Sequence, residues 1–156
     1  MSTLIVLIIL FLLGMFGVGV AVETDCLPGS DQCSAAIDED AWTPVTVDGI
    51  DGVIVPASGA SIFVAADEYW TPTETEIVEA EQAIADAQGE LDHMRQYAGF
   101  VEDGDRKVYV NGFASESGID WHSDPVFVMD GGEAYFQAVY NVETGVVEWF
   151  SFNGEA

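Results

Sequence analysis

The chain has 156 residues, of which 28 are Asp or Glu and only three, Arg95, Arg106 and Lys107, are Lys or Arg, giving a formal charge of −25. A surface of that sign repels phosphate backbones and anionic headgroups, which argues against a nucleic-acid partner and leaves nonspecific cations as its counterions. The acids are spread thinly along the sequence, which fits solubility at high ionic strength better than one local cation site.

The chain opens on an apolar run. Residues 4–22, LIVLIILFLLGMFGVGVAV, carry no charge, and a helix of that length rises about 28 Å, close to a bilayer core. Residues 1–22 are therefore expected to form a transmembrane anchor, with the lipid bilayer as partner of residues 4–22 and the acidic domain outside the cytoplasm. The alternative is a signal segment and a secreted protein, cleaved near Ala21, since Gly19 and Ala21 place small residues where a signal peptidase reads. Met-Ser-Thr before the run has no basic residue, so flanking charge says nearly nothing about orientation.

Residues 23–41 are acidic and poor in apolar side chains, and read as a stalk. Cys26 and Cys33 are the only cysteines; in an oxidising compartment they are expected to join as a short disulfide, with free thiols as the alternative.

A single domain is expected over 42–156, with its helix–sheet core at 71–153. Short β-prone pieces at 52–56 and 61–65 suggest either a peripheral hairpin or extended chain packed against the domain. Thr71-Pro72-Thr73-Glu74 fits a helix start with Thr71 as cap and Glu74 closing a capping box. Ile77, Ala80, Ile84, Ala87, Leu91, Met94 and Ala98 recur at steps of three and four, predicting a helix of about 25 residues, with Gly89 as a bend and Arg95 near its carboxyl end. Alternation then predicts strands at 107–113, 125–129, 134–141 and 146–152. The sum is an α+β fold, one long helix packed on a four-stranded antiparallel sheet, an order that resembles the cystatin-like roll.

Several short motifs stand in fixed order: Arg95-Gln96-Tyr97, Gly99-Phe100, Asn111-Gly112-Phe113, Asp130-Gly131-Gly132, Tyr135-Phe136, Thr144-Gly145 and Asn153-Gly154-Glu155-Ala156. Over about 70–156 they resemble an uncharacterised family of small exported or membrane-anchored bacterial proteins. The resemblance implies no activity. It implies a cross-sheet cystine in relatives where this chain has Ala114 and Ala134.

No catalytic, cofactor-binding or metal-binding residue is assigned and no cofactor is expected. Asp120, His122 and Asp124 are the one polar cluster that an extended chain would send to one side, as for a metal or an oriented imidazole. Asp48-Gly-Ile-Asp51 and Glu102-Asp-Gly-Asp105 are acidic glycine turns that only faintly suggest calcium, and neither has an EF-hand ligand sequence. The three cations are expected to be internal salt-bridge partners. Tyr140 and Trp149 would form an aromatic platform if they share an exposed face.

The leading expectation is a non-catalytic, membrane-tethered interaction or structural domain that meets an unknown envelope protein through an aromatic patch or an open strand edge. The alternative is a small-ligand-binding module with a cavity between helix and sheet lined by Phe100, Tyr109, Phe113 and Phe136. A hydrolase comes third and would need His93 or His122 beside a carboxylate.

Overall fold

A computed structural model describes residues 40–114 and 118–154 of the chain. The stretches 4–22 and 23–39, with Cys26 and Cys33, lie outside the described residues.

Two Asp-Gly pairs set the tight hairpins. Asp48 and Gly49 take φ of 51° and 86°, and Asp103 and Gly104 take 57° and 88°, the left-handed pair whose twist suits a two-residue turn between antiparallel strands. The first joins β1 (Thr43–Val47) to β2 (Ile50–Val55), and the second joins β4 (Met94–Glu102) to β5 (Asp105–Phe113). Turn geometry alone accounts for both acidic glycine motifs.

With β3 (Glu68–Trp70), β6 (Tyr135–Asn141) and β7 (Val146–Phe152), the strands form one seven-stranded sheet. Its order is β1-β2-β4-β5-β6-β7. β2 runs parallel to β4 along Arg95–Ala98, and β3 runs antiparallel to the rest of the same edge, Gly99–Val101. All other pairings are antiparallel. Parallel neighbours need a crossover, and helix α1 (Glu74–Gln88) lies in the connection from β2 to β4.

The expected four-stranded α+β roll on one long helix is thereby corrected to a mainly β domain with a mixed seven-stranded sheet and a 15-residue helix. The three-and-four spacing ran through two elements. Ile77, Ala80 and Ile84 are buried on α1, Ala87 is exposed, and Met94 and Ala98 belong to β4. Gly89, at φ 86° and ψ 178°, ends the helix after Gln88, a backbone conformation open to glycine and strained for other residues. The cap is Thr73: its hydroxyl accepts from Glu76 N at 3.4 Å, and the Glu76 carboxylate accepts from Thr73 N at 2.8 Å, so the capping box lies two residues beyond the expected one.

Residues 61–65 and 125–129 form no strand, whereas β1, β3 and β4 were not anticipated. Among the described residues no helix is long and apolar enough to cross a membrane; the transmembrane helix expected at 1–22 lies outside them.

Both faces of the sheet are covered. On one, Ile77, Ala80 and Ile84 of α1 pack with Tyr97, Val108, Val110, Phe136, Ala138 and Tyr140. On the other, Val55, Ala98, Phe100 and Tyr109 lie under Phe63, Val64 and Tyr69, while Val53 and Phe113 lie under Trp121 and Val126. A strand buried on both faces reads as a continuous apolar run and loses its alternation.

Amide side chains fix that second cover. Gln96 Nε2 donates to the carbonyls of Trp121 and Asp124 at 2.8 Å each, and its Oε1 accepts from Val126 N at 3.0 Å. Asn111 Nδ2 donates to Val126 O at 2.8 Å and to Gln96 Oε1 at 3.2 Å. Both side chains are buried, so these bonds satisfy groups that would otherwise lose water without replacement.

Candidate functional site

The residues singled out from sequence do not converge. Asp120, His122 and Asp124 sit in a turn, where Asp124 N donates to Asp120 O at 2.8 Å, so the side-to-side alternation of an extended chain does not apply. His122 Nδ1 lies 3.6 Å from Asp120 Oδ1 with both side chains more than half exposed, and its ring rests on Trp121 at 3.8 Å. Among the described residues no three His, Cys, Asp or Glu side chains are grouped to hold a metal.

Tyr140 and Trp149 do not share a face. Tyr140 is 3% exposed in the core beneath α1, while Trp149 pairs with Val139 and is 46% exposed on the opposite side. The four aromatics expected to line a cavity are packed solid in three separate clusters: Phe136 under the helix, Phe100 with Tyr109, and Phe113 with Trp121.

A cleft of about 430 Å³ does open between helix and sheet, at the carboxyl end of α1. The β1–β2 turn, the α1–β4 connection and the helix wall it, with Val47, Ile50, Ile84 and Leu91 as apolar lining and Asp48, Glu90 and Asp92 at the rim. Its volume lies within the range of small-molecule sites.

Glu81 and Arg95 also line it. Arg95 Nε donates to Glu81 Oε1 at 3.0 Å, and Tyr97 Oη donates to the same oxygen at 2.9 Å. The other guanidinium nitrogens donate to the carbonyls of Leu91, at 2.9 Å, and His93, and the guanidinium lies 4.7 Å from the Phe136 ring centre. Burial, then the Glu81 charge, pushes the Tyr97 phenol well above its ordinary 10.0, with Arg95 opposing. Arg95 thus ties helix, connection and strand together.

His93, on the connection, bonds through Nε2 to the Glu133 carbonyl at 2.9 Å. A carbonyl only accepts, so Nε2 is the donor, and buried Nδ1 meets no hydrogen-bond partner among the described residues. Met94, Asp51, Asp92 and His93 border a second hollow of about 220 Å³.

The remaining cations are also spent internally, as expected. Lys107 Nζ lies 2.8 Å from both Glu102 and Glu148, and Arg106 bridges Glu76 at 2.8 Å and Glu143 at 3.1 Å while stacking over Trp70. Lys107, followed by Asn141, holds the Glu148 carboxyl below its ordinary 4.5.

The two ends of the sheet differ in kind. β1 is five residues long and contains Pro44, which has no N–H to offer. β7 is seven residues, Val-Val-Glu-Trp-Phe-Ser-Phe, with no proline and one charge, already paired with Lys107. Asn153 N donates to Tyr135 O at 2.9 Å, so alternation turns the amides of Trp149 and Ser151 toward β6 and those of Phe150 and Phe152 outward. Among the described residues no strand pairs with that outer side. Sequence reasoning missed this edge as a specific feature because the position of a strand in a sheet is not written in the strand itself. No protein-family model, curated protein or solved structure matches this chain.

Proposed function

We propose that the domain is a non-catalytic interaction module that docks another polypeptide on the open edge of β7. The observation that carries this reading is the contrast between the two sheet ends: β1 is closed off by Pro44, while β7 presents unpaired backbone beside the exposed Val146 and Trp149. An edge of that length, β-branched and aromatic and without a net blocking charge, is a template for an added strand. The apolar run at 4–22 supports export as the route to such a partner, and intact mass beginning after Ala21 would bear on it.

Cross-linking with mass-spectrometric mapping in the native source tests the edge. Links to a partner that fall on residues 146–152 and vanish in a Val146→Lys, Trp149→Lys double variant support it. Links confined to other surfaces refute it.

A second reading rests on the 430 Å³ cleft: a small cationic molecule with an apolar arm, received by Asp48, Glu90 and Asp92. Nitrogen-15 NMR with phenethylammonium tests it. Shifts confined to those residues favour it, and shifts scattered over the acidic surface dispose of it.

A further inference from the structure

Resting on the β7 docking reading, we infer that the occupant of this edge is an extended, amphipathic basic segment of another protein, alternating apolar residues with Lys or Arg.

The alternation follows from the two faces of β7. Val147, Phe150 and Phe152 turn to the helix side, where they pack at the margin of the core. Glu148 and Trp149 turn to the other side, where Glu148 meets Lys107 and Trp149 lies opposite Val139. Glu148 is the extra residue of a bulge between Val147 and Trp149, so a strand laid beside β7 alternates in step with it along Trp149–Phe152, where every second side chain borders an apolar margin and those between border an exposed indole.

The charge follows from the whole chain. All three cations are bound in internal pairs with Glu76, Glu81, Glu102, Glu143 and Glu148, and the formal charge is −25. An acidic strand would approach against that field, and so would β7 of a second copy. A basic strand is drawn in by it, and a Lys or Arg over the exposed face of Trp149 gains cation–π attraction.

The test is nitrogen-15 NMR titration of the full chain with three capped octapeptides, alternating Val with Lys, with Thr or with Glu, at about 50 mM and about 500 mM NaCl. The Val/Lys peptide is expected to shift the amides of residues 146–152, to bind about tenfold more weakly at the higher salt, and to lose about fivefold with Trp149→Ala. A Val/Lys peptide N-methylated at alternate residues keeps its side chains but cannot extend the ladder, and is expected to leave these amides unshifted.

Equal binding of the Val/Thr peptide at residues 146–152, without salt dependence, would overturn the basic class and leave the edge reading standing. Shifts that avoid 146–152 with all three peptides would overturn both. Dimerisation through β7 that strengthens with salt would name a second copy as occupant and overturn the inference.

Discussion

Glu81 of α1 and Arg95 of β4 meet at 3.0 Å with side chains 7% and 1% exposed, and this buried pair joins the one long helix to the centre of the sheet. Breaking such a pair leaves a charge without water or partner, which costs about 3–5 kcal/mol. Glu81→Ala and Arg95→Ala are each expected to lose stability on that scale in urea unfolding. The pair Glu81→Leu with Arg95→Met is expected to lose less than the sum, because neither charge is then stranded. Additive losses would show that the two side chains act independently.

Tyr97 donates to the same carboxylate, and its consequence appears at high pH. Burial and the Glu81 charge raise its folded pKa well above 10.0, burial raises Tyr109 to about 12, and burial with Glu79 and Glu76 raises Tyr140. The folded state therefore keeps protons that the unfolded chain releases above pH 10. Stability is full below that value and falls as pH climbs past it, by up to about 1.4 kcal/mol per pH unit for each tyrosine. Urea midpoints between pH 8 and pH 12, each about one unit apart, are expected to decline only above 10. Tyr97→Phe is expected to lower stability at neutral pH by about 1 kcal/mol and to flatten the alkaline decline. An unchanged alkaline slope in that variant would contradict a buried, raised phenol.

Gln96 bonds the backbone of Trp121, Asp124 and Val126 to the sheet, sharing Val126 with Asn111. Gln96→Leu keeps the volume and strands those backbone groups, so a loss of about 2–3 kcal/mol is expected. Amide exchange should rise across 118–128 before it rises in α1. Simultaneous loosening of both would show that the loop is not separately tied.

A charge of −25 in a 156-residue chain repels itself, and salt screens that repulsion. The melting temperature is expected to rise by several degrees between about 0.05 M and about 1 M NaCl. A flat or falling response would mean that the ion pairs of Arg106 and Lys107 outweigh the repulsion.

The local signals in the sequence were sound where one physical rule acted alone. Strands 134–141 and 146–152 alternate and lie at 135–141 and 146–152, and internal pairing of the cations followed from their scarcity. They failed where two rules overlapped. Leu91, Met94 and Ala98 continue the spacing of α1 by coincidence, while Met94–Glu102 is buried on alternate faces by different partners and shows no period of two. The candidate cleft was invisible because Asp48, Glu81 and Asp92 meet only through the crossover between β2 and β4. The β7 edge was invisible because openness belongs to the neighbour a strand lacks.

Amide hydrogen exchange along β7 in the isolated full chain bears most directly on the docking edge. The expected result is alternation, with Trp149 and Ser151 protected by β6 and Phe150 and Phe152 exchanging close to the rate of unpaired backbone. Protection of all four amides in the absence of any partner would contradict an open edge and the function built on it.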